Sequence, residues 1–460
     1  MTGVLADRPL TGRRRIDPTV ARHFRATMRN DFLTPRGTPY KWQELTASVD
    51  RTVIGGGVPT VVPVRYRWQR VDAGTGTPTG SGERREWTFA RGQSFRSALL
   101  HTEVAGADVE SAEADWSGTP AAAMDISYPE LPRSPAVDLL LMLSWDVVTF
   151  EMLCTHLTTT PELREVGGRA ELERVSGTWA ELRFSDPGAV AVFRNARATA
   201  QHLGYGRVAG RPSVVYSSRC LDCVLDVRSG PVSQRGRSSY WVTLQADAET
   251  GDLLSADMTE MIVAVLSGPD GRRVPVQKRR TVQMWAGTDA PPEDPVAPAA
   301  RSTPRRADPA VLAEALRLAA RVAEYLTWQV ESLEHLPDGM ADLARMGFRS
   351  VVGTDLADTY PWLRSLQSDL RALTDGAPGA EVAVPAALPE HRRHLEGLLA
   401  FGQLAIDGAN RFEALDEPGR AVTRDHLTAV GVDLAELLAL LGRLERPDRP
   451  DRTTDHEPEG

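Results

Sequence analysis

Residues 214–227 read VVYSSRCLDCVLDV, and residues 238–285 read SSYWVTLQADAETGDLLSADMTEMIVAVLSGPDGRRVPVQKRRTVQMW. Runs rich in Val, Tyr, Trp, Thr and Ile are cut by two turn signals, Glu249-Thr250-Gly251-Asp252 and Gly268-Pro269-Asp270-Gly271. β-Branched and aromatic residues suit a pleated surface, while Gly, Pro and Asp supply turn conformations. The stretch therefore reads as an antiparallel β-meander around which the chain is organised.

If Glu249–Asp252 closes its hairpin with a four-residue loop, Trp241 faces Glu260 and Ser239 faces Ile262. Glu260 then lies on the same side as Leu254, Ala256 and Met258. A carboxylate on an apolar face has a raised pKa and suits acid or base chemistry, which makes Glu260 the catalytic candidate. Its plainer alternatives are an ion pair with an arginine or a place at a wet sheet edge. Asp257, Tyr240 and Arg237 are open to the same alternatives.

Upstream of the meander, 187–203 reads as a helix after Ser185-Asp186, ended by Gly204 and Gly206. Residues 136–158, with the apolar run LLLMLSWDVVTF (139–150), read as a helix buried on most sides. That run holds Asp146 and falls short of the roughly 20 residues a membrane helix needs. Between Trp42 and Ser127 the pattern is again strand-like: Val64, Tyr66 and Trp68 alternate with Arg65, Arg67 and Gln69, and Trp87 shares a face with Phe89. Residues 73–82 read as a loop or a long hairpin turn. Both strand-rich regions carry Asp-Ala-x-Thr-Gly, at 72–76 and 247–251, a hint of duplication. Residues 18–30 suggest a short helix inside an N-terminal arm, 1–40.

Downstream, 287–307 is Pro- and Ala-rich without periodicity, the composition of a linker. From Asp308 and Pro309 onward a helical period runs to Leu333, and further helices are expected at 340–347, 361–374, 389–416 and 423–445. The expected architecture is α+β. A curved antiparallel sheet region (41–286), as one sheet or as two related halves (41–158 and 159–286), holds a buried helix. An all-α bundle (308–445) and a Pro-, Asp- and Arg-rich disordered tail (446–460) follow.

Composition narrows function. The chain has 460 residues, is 42% hydrophobic and 25% charged, and carries a net charge of −9. No basic block is interleaved with aromatics, so a nucleic-acid partner is not expected. Only Lys41 and Lys278 are lysines among 53 basic residues, a bias that reads as coding in a GC-rich genome. The N-terminus lacks an apolar segment after its charges, and three cysteines are too few for a disulfide framework, so a cytoplasmic location is expected.

The arrangement with metal-like spacing is Cys154-Thr-His156 with Cys220-Leu-Asp-Cys223: three thiolates and an imidazole make a tetrahedral zinc set. Zinc is the one cofactor suggested. Against it, residues three apart in a plain strand point to opposite faces. As a redox pair, C-x-x-C would want to open a helix, whereas Val224-Leu-Asp-Val reads as strand. Gly204-Tyr-Gly206-Arg-Val-Ala-Gly210 leaves a helix and enters a strand, the reverse of a dinucleotide loop, and reads as a packing turn. Gly55-Gly56-Gly57 precedes Val-Pro and is no phosphate loop. His391 and His394 share a helix face but have no carboxylate spaced to complete a metal site, and read as solvated. Tyr325, Trp328, Tyr360 and Trp362 read as helical core.

The Asp247–Asp252 turn between long strands resembles turns in the sheets of bacterial lipoprotein carriers, which shelter apolar ligands on a concave face. The likeness is confined to that hairpin. Three readings of function follow. The first is a non-catalytic binding or scaffold protein whose sheet holds an apolar small molecule or a protein partner. The second is an enzyme acting on a hydrophobic small molecule through Glu260, and the third is a structural zinc protein.

Overall fold

Four long strands follow one another from residue 211, each paired antiparallel with the next: β11 (Arg211–Ser229), β12 (Val232–Asp247), β13 (Leu253–Ser267) and β14 (Arg273–Ala286). They are the meander of the sequence. The structure is a computed structural model and describes residues 14–34, 37–54, 60–78, 87–88, 92–104, 126–186, 188–287, 308–334, 338–374, 388–409 and 417–445. The part of the expected N-terminal arm before Arg14, Gly55–Gly57, Phe89, 288–307 of the expected linker and the expected tail 446–460 lie outside the described residues. So do the side chains of Trp328 and Tyr360.

The meander continues into the N-terminal strands because β14 pairs with β2 (Arg22–Leu33). β2 pairs in turn with β3 (Pro39–Val53), β3 with β4 (Thr60–Gly76), and β4 with β6 (Ser94–Val104) and the short β5 (Trp87–Thr88). β1 (Arg14–Ile16) adds to β6 in parallel. On the other side β11 pairs with β10 (Ala198–Val208) along one half and with β9 (Val190–Arg194) along the other. β7 (Arg169–Glu171) and β8 (Trp179–Arg183) add to β10 and β9. Among the described residues the two strand-rich regions thus form one sheet of fourteen strands.

Three local expectations are corrected. Residues 18–30 are not helical: 22–33 is β2, in which Phe24, Ala26 and Met28 are buried and alternate with Arg25, Thr27 and Arg29. That alternation has the period of a strand, and pairing on both sides satisfies its backbone. Residues 187–203 are likewise β9 and the start of β10, with Ala198, Ala200 and His202 facing inward. Residues 73–76 are the end of β4, where Gly76 pairs with Trp42, and not a loop.

The sheet is strongly curved. β1 lies six strands from β13, about 29 Å away in a flat sheet at about 4.8 Å per strand. Yet Arg15 N donates to Thr250 O, in the β12–β13 turn, at 2.7 Å. Bulges such as those at Ser48/Val49, His202/Gly204, Cys220/Cys223 and Gln245/Ala246 bend the long strands. Gly236 lets two of them come close, since a Cβ there would sit 2.1 Å from Val263 O. Gly251, with φ +66°, occupies the turn that β1 meets.

Inside the curve lies α1 (Pro135–Thr159), 25 residues long, capped by Ser134 and buried on most sides as its sequence indicates. It touches β1, β3, β4, β6, β12, β13 and β14, and its leucines form one core with Phe24, Leu45, Tyr66, Trp68, Leu244 and Met284. Tyr128 fixes the helix to the sheet: its hydroxyl accepts from Trp68 Nε1 at 2.7 Å and lies 2.7 Å from Ser144 Oγ.

The helical third divides between two compact units. α3 (Asp338–Val352) belongs to the sheet unit and packs on β11, β12 and β13, and its Arg349 donates to Gln277 of β14. Gln277 and Arg280 are three apart in an unbulged part of β14, so α3 lies on the face opposite to α1. The other unit contains α2 (Pro309–Glu334), α4 (Leu356–Thr374), α5 (Leu388–Ala409) and α6 (Glu417–Glu445). Within it α2 packs on α4 and α6, and α5 on α4 and α6. Among the described residues no helix is long and apolar enough to cross a membrane.

Candidate functional site

Two charged side chains of α1, Glu151 and Asp146, enter an otherwise apolar interior, and each organises a buried ionic cluster. Glu151 accepts from Arg14, from Arg51 at 2.7 Å and from the Tyr66 hydroxyl at 3.0 Å. Asp252 accepts from the same two arginines, with Arg51 at 2.7 Å, and from Arg22 at 2.8 Å. The four central groups alternate in sign around a ring, which is how charges this deep become tolerable. Burial acts against ionisation of both carboxylates, but the facing guanidiniums prevail and hold Glu151 and Asp252 below the usual carboxylate range. The ring ties β1 and the β12–β13 turn to α1.

The second cluster lies farther along the same face. Arg280 on β14 donates to Asp146 Oδ2 at 2.8 Å and to Glu260 Oε2 at 2.7 Å, and Ser238 also bonds Glu260. These four residues are buried, and Lys278, two positions from Arg280, is half-buried beside them. Burial raises Asp146 to about 7, because Arg280 is shared with a second carboxylate. Burial also works against Glu260, yet Arg280 and Ser238 hold it below its ordinary value. Lys278 falls to about 8 through burial, with Arg280 next.

Glu260 therefore differs from its sequence reading in two respects. It faces Tyr240 rather than Trp241, and Ser238 faces Ile262, because the turn closes one residue earlier, at Asp247–Asp252, a shift of two that the extruded Leu254, between the Gln245–Ser255 and Ala246–Leu253 pairs, reduces to one. The turn begins earlier than expected: Asp247 Oδ1 accepts from Glu249 N at 3.0 Å and Thr250 N at 2.9 Å, and Asp247 N donates to Asp252 O at 2.7 Å. Its pKa is lowered rather than raised, since the arginine ion pair is present.

Cys154 is buried on α1, where its thiol donates to Gly251 O at 3.5 Å and burial pushes it up to about 12. His156 is half-buried in the last turn of α1. Cys220 and Cys223 are brought together, with sulfurs 3.3 Å apart. The objection that residues three apart point to opposite faces fails because a bulge between them lets Cys220 pair with Tyr240 and Cys223 with Ser238, two positions apart on β12. Among the described residues no group of three or more His, Cys, Asp or Glu could hold a metal.

Beyond the second cluster, on the same face, Leu225, Ile262 and Ala264 form a separate buried apolar group. Phe193 and Val227 touch both it and the main core. In the row of the second cluster, Asn30 on β2 pairs with Arg280, and its buried Oδ1 has no hydrogen-bond partner among the described residues. In the helical unit, His391 and His394 are buried rather than solvated. His391 Nε2 meets Asp369 Oδ2 at 2.7 Å, a carboxylate supplied by α4, and Trp362 lies against both imidazoles. Gly204–Gly210 belongs to β10 and its tight turn, in which Ala209 and Gly210 have φ of +47° and +78°.

Sequence reasoning missed Arg14, Arg51, Glu151, Asp252, Asp146 and Arg280 as interacting groups. Two signals were available: carboxylates inside the most apolar helix, and a lysine at 278 in a chain that almost always uses arginine.

No protein-family model matches this chain, and no curated protein matches it. A solved structure described as "lipid-protein interactions in lipovitellin" is similar at 12% identity with a TM-score of 0.24. The match covers 93% of this chain and 42% of that one, so the chain spans less than half of that protein's length. At this level of likeness nothing about fold or ligand is transferred.

Proposed function

We propose that the protein is a non-catalytic binding protein, and that its curved sheet holds an apolar small molecule on the face that carries α1. The observation behind this reading is the second apolar group, Leu225, Ile262 and Ala264, which stands apart from the main core on the inner face. Lys278, the cross-strand partner of Ile262, stands beside it and would meet the polar end of such a ligand. The strongly charged groups nearby are engaged with one another, which argues for structure over turnover. The helices α2, α4, α5 and α6 would form a bundle that supplies a second interface. Titration of the full chain with cis-parinaric acid, a fluorescent apolar carboxylic acid, tests the reading. Saturable enhancement that is lost in Ala264→Phe, with the unfolding midpoint kept, is expected. No saturable binding, together with an earlier unfolding Ala264→Phe protein, would show that the group is closed core.

A second reading, an enzyme acting on a hydrophobic small molecule, is favoured by one observation: Asp146 at about 7 and Lys278 at about 8 titrate near neutrality in one cluster. The proton would then be held by Asp146, while Glu260 stays ionised.

A further inference from the structure

β11 changes partners at its middle. Its pairing with β10 ends at Cys220–Ala198, and its pairing with β9 begins at Val224–Arg194. The connection between β9 and β10, residues 195–197, covers the gap, and in that gap β11 carries the bulge that turns both cysteine side chains to one face. The two thiols are consequently neighbours, and their surroundings are unequal. Cys223 donates to Cys220 Sγ at 3.3 Å and lies 3.9 Å from Asn195 Oδ1. The Tyr240 hydroxyl, 3.3 Å from Asn195 Oδ1, and the Ala196 backbone N–H are also within hydrogen-bonding reach of the Cys220 sulfur.

We propose that Cys220 and Cys223 are a reversible dithiol–disulfide site, with Cys220 the attacking thiolate and Cys223 the resolving thiol, and with a small hydroperoxide as oxidant. The Cys223 thiol donates to the Cys220 sulfur and the Ala196 N–H reaches it, an arrangement that favours its charged form. The Cys223 hydrogen bond is the largest contribution to lowering Cys220, and the same bond raises Cys223. Burial keeps the Tyr240 hydroxyl protonated, so that its hydrogen bond to Asn195 Oδ1 holds the connection over the pair.

The chemistry balances without a group from elsewhere in the protein. The Cys220 thiolate attacks the terminal hydroperoxide oxygen, an S–O bond forms, the O–O bond breaks, and the leaving oxygen takes a proton to depart as water from hydrogen peroxide or as the alcohol from an organic hydroperoxide. Cys223 sulfur then attacks Cys220 sulfur, the S–S bond forms, the S–O bond breaks, and the second oxygen leaves as water with the Cys223 proton. Two thiols lose two electrons, and the peroxide gains them. Both sulfurs are buried, which excludes bulky oxidants and places the entry at the half-buried Asn195–Ala196 connection above the pair. Cys154, buried elsewhere with its thiol pushed up, is an internal reference that should not react.

The test uses the full chain, reduced, freed of reductant, and exposed to stoichiometric hydrogen peroxide. It is then denatured, alkylated and digested with trypsin, which releases residues 220–228 as one peptide. The expected result is a peptide lighter by two hydrogens that takes up no alkylating agent until dithiothreitol is added, while Cys154 is alkylated throughout. Cys223→Ser should leave Cys220 as a sulfenic acid that dimedone traps, Cys220→Ser should leave Cys223 unoxidised, and Tyr240→Phe should slow disulfide formation. The proposal is overturned if the peptide keeps both thiols, if the urea-unfolded chain closes the bond as fast as the folded one, or if Cys223 oxidises equally well without Cys220. Unfolding midpoints of the variants separate these outcomes from a loss of fold.

Discussion

Glu151→Gln probes the ring that ties α1 to the edge of the sheet. The wild-type site places three cations, Arg14, Arg22 and Arg51, against two carboxylates, Glu151 and Asp252, with the ring almost wholly out of water. The substitution keeps the shape but leaves one carboxylate for three guanidiniums and turns an amide N–H₂ toward one of them. Two charge-assisted hydrogen bonds are weakened, at about 1.5–3 kcal/mol each. The loss of one partner from a buried pair independently suggests about 3–5 kcal/mol. The ranges overlap, so the folding equilibrium of the sheet unit should fall by on the order of 10²–10³-fold. Urea unfolding followed by tryptophan fluorescence measures this, with Trp68 buried in the same core as Tyr66. Glu314→Gln, which removes an exposed ion pair with Arg317, serves as the control and should leave the midpoint unchanged. A Glu151→Gln midpoint that matches the control would refute the account of the ring as a buried, mutually dependent set.

Stability should also depend on pH in two opposing ways. Asp146 is raised from 3.8 to about 7, so the folded state holds its proton more tightly; the stabilisation is complete below 3.8 and is lost as pH rises through 7. Glu151 and Asp252 are lowered from 4.5 and 3.8, so their contribution is present above those values and is lost as pH falls through the depressed folded values. Maximum stability is expected near about pH 5, and Asp146→Asn should flatten the decline between that point and neutrality; an unchanged slope would show that Asp146 is not its source. Gly236→Ala should destabilise by about 1–3 kcal/mol, since its Cβ meets Val263 O at 2.1 Å. Gly347→Ala, in helix α3 with nothing within 4 Å of the new Cβ, should be neutral or slightly stabilising, and thermal unfolding of the pair tests the strand crowding.

Periodicity made much of the sheet legible. The strands from β11 to β14 and the helix α1 follow from alternation and from an apolar run, because both depend on neighbours in sequence. β2 and β10 were misread although their alternation is visible, since a short segment with Ala and Arg is compatible with either period until pairing partners satisfy its backbone. The site was much less legible. Asp146 and Glu260 lie 114 positions apart in the sequence and meet only because Arg280, 20 positions beyond Glu260, bridges them. The register that faces Glu260 with Tyr240 depends on one extruded residue, Leu254, and local composition does not specify a bulge.

By itself, then, the sequence determined that a long antiparallel meander forms, that α1 is buried, and that C-x-x-C sits in a strand. Only the tertiary structure decided that the sheet curls until Arg15 meets Thr250, that α1 enters the curve with its carboxylates matched to arginines from distant strands, and that a bulge sets the Cys220 and Cys223 sulfurs side by side. The division has a physical cause. Propensity and periodicity act over a few residues, whereas curvature, register and charge pairing are set by groups that become neighbours only after the chain has folded.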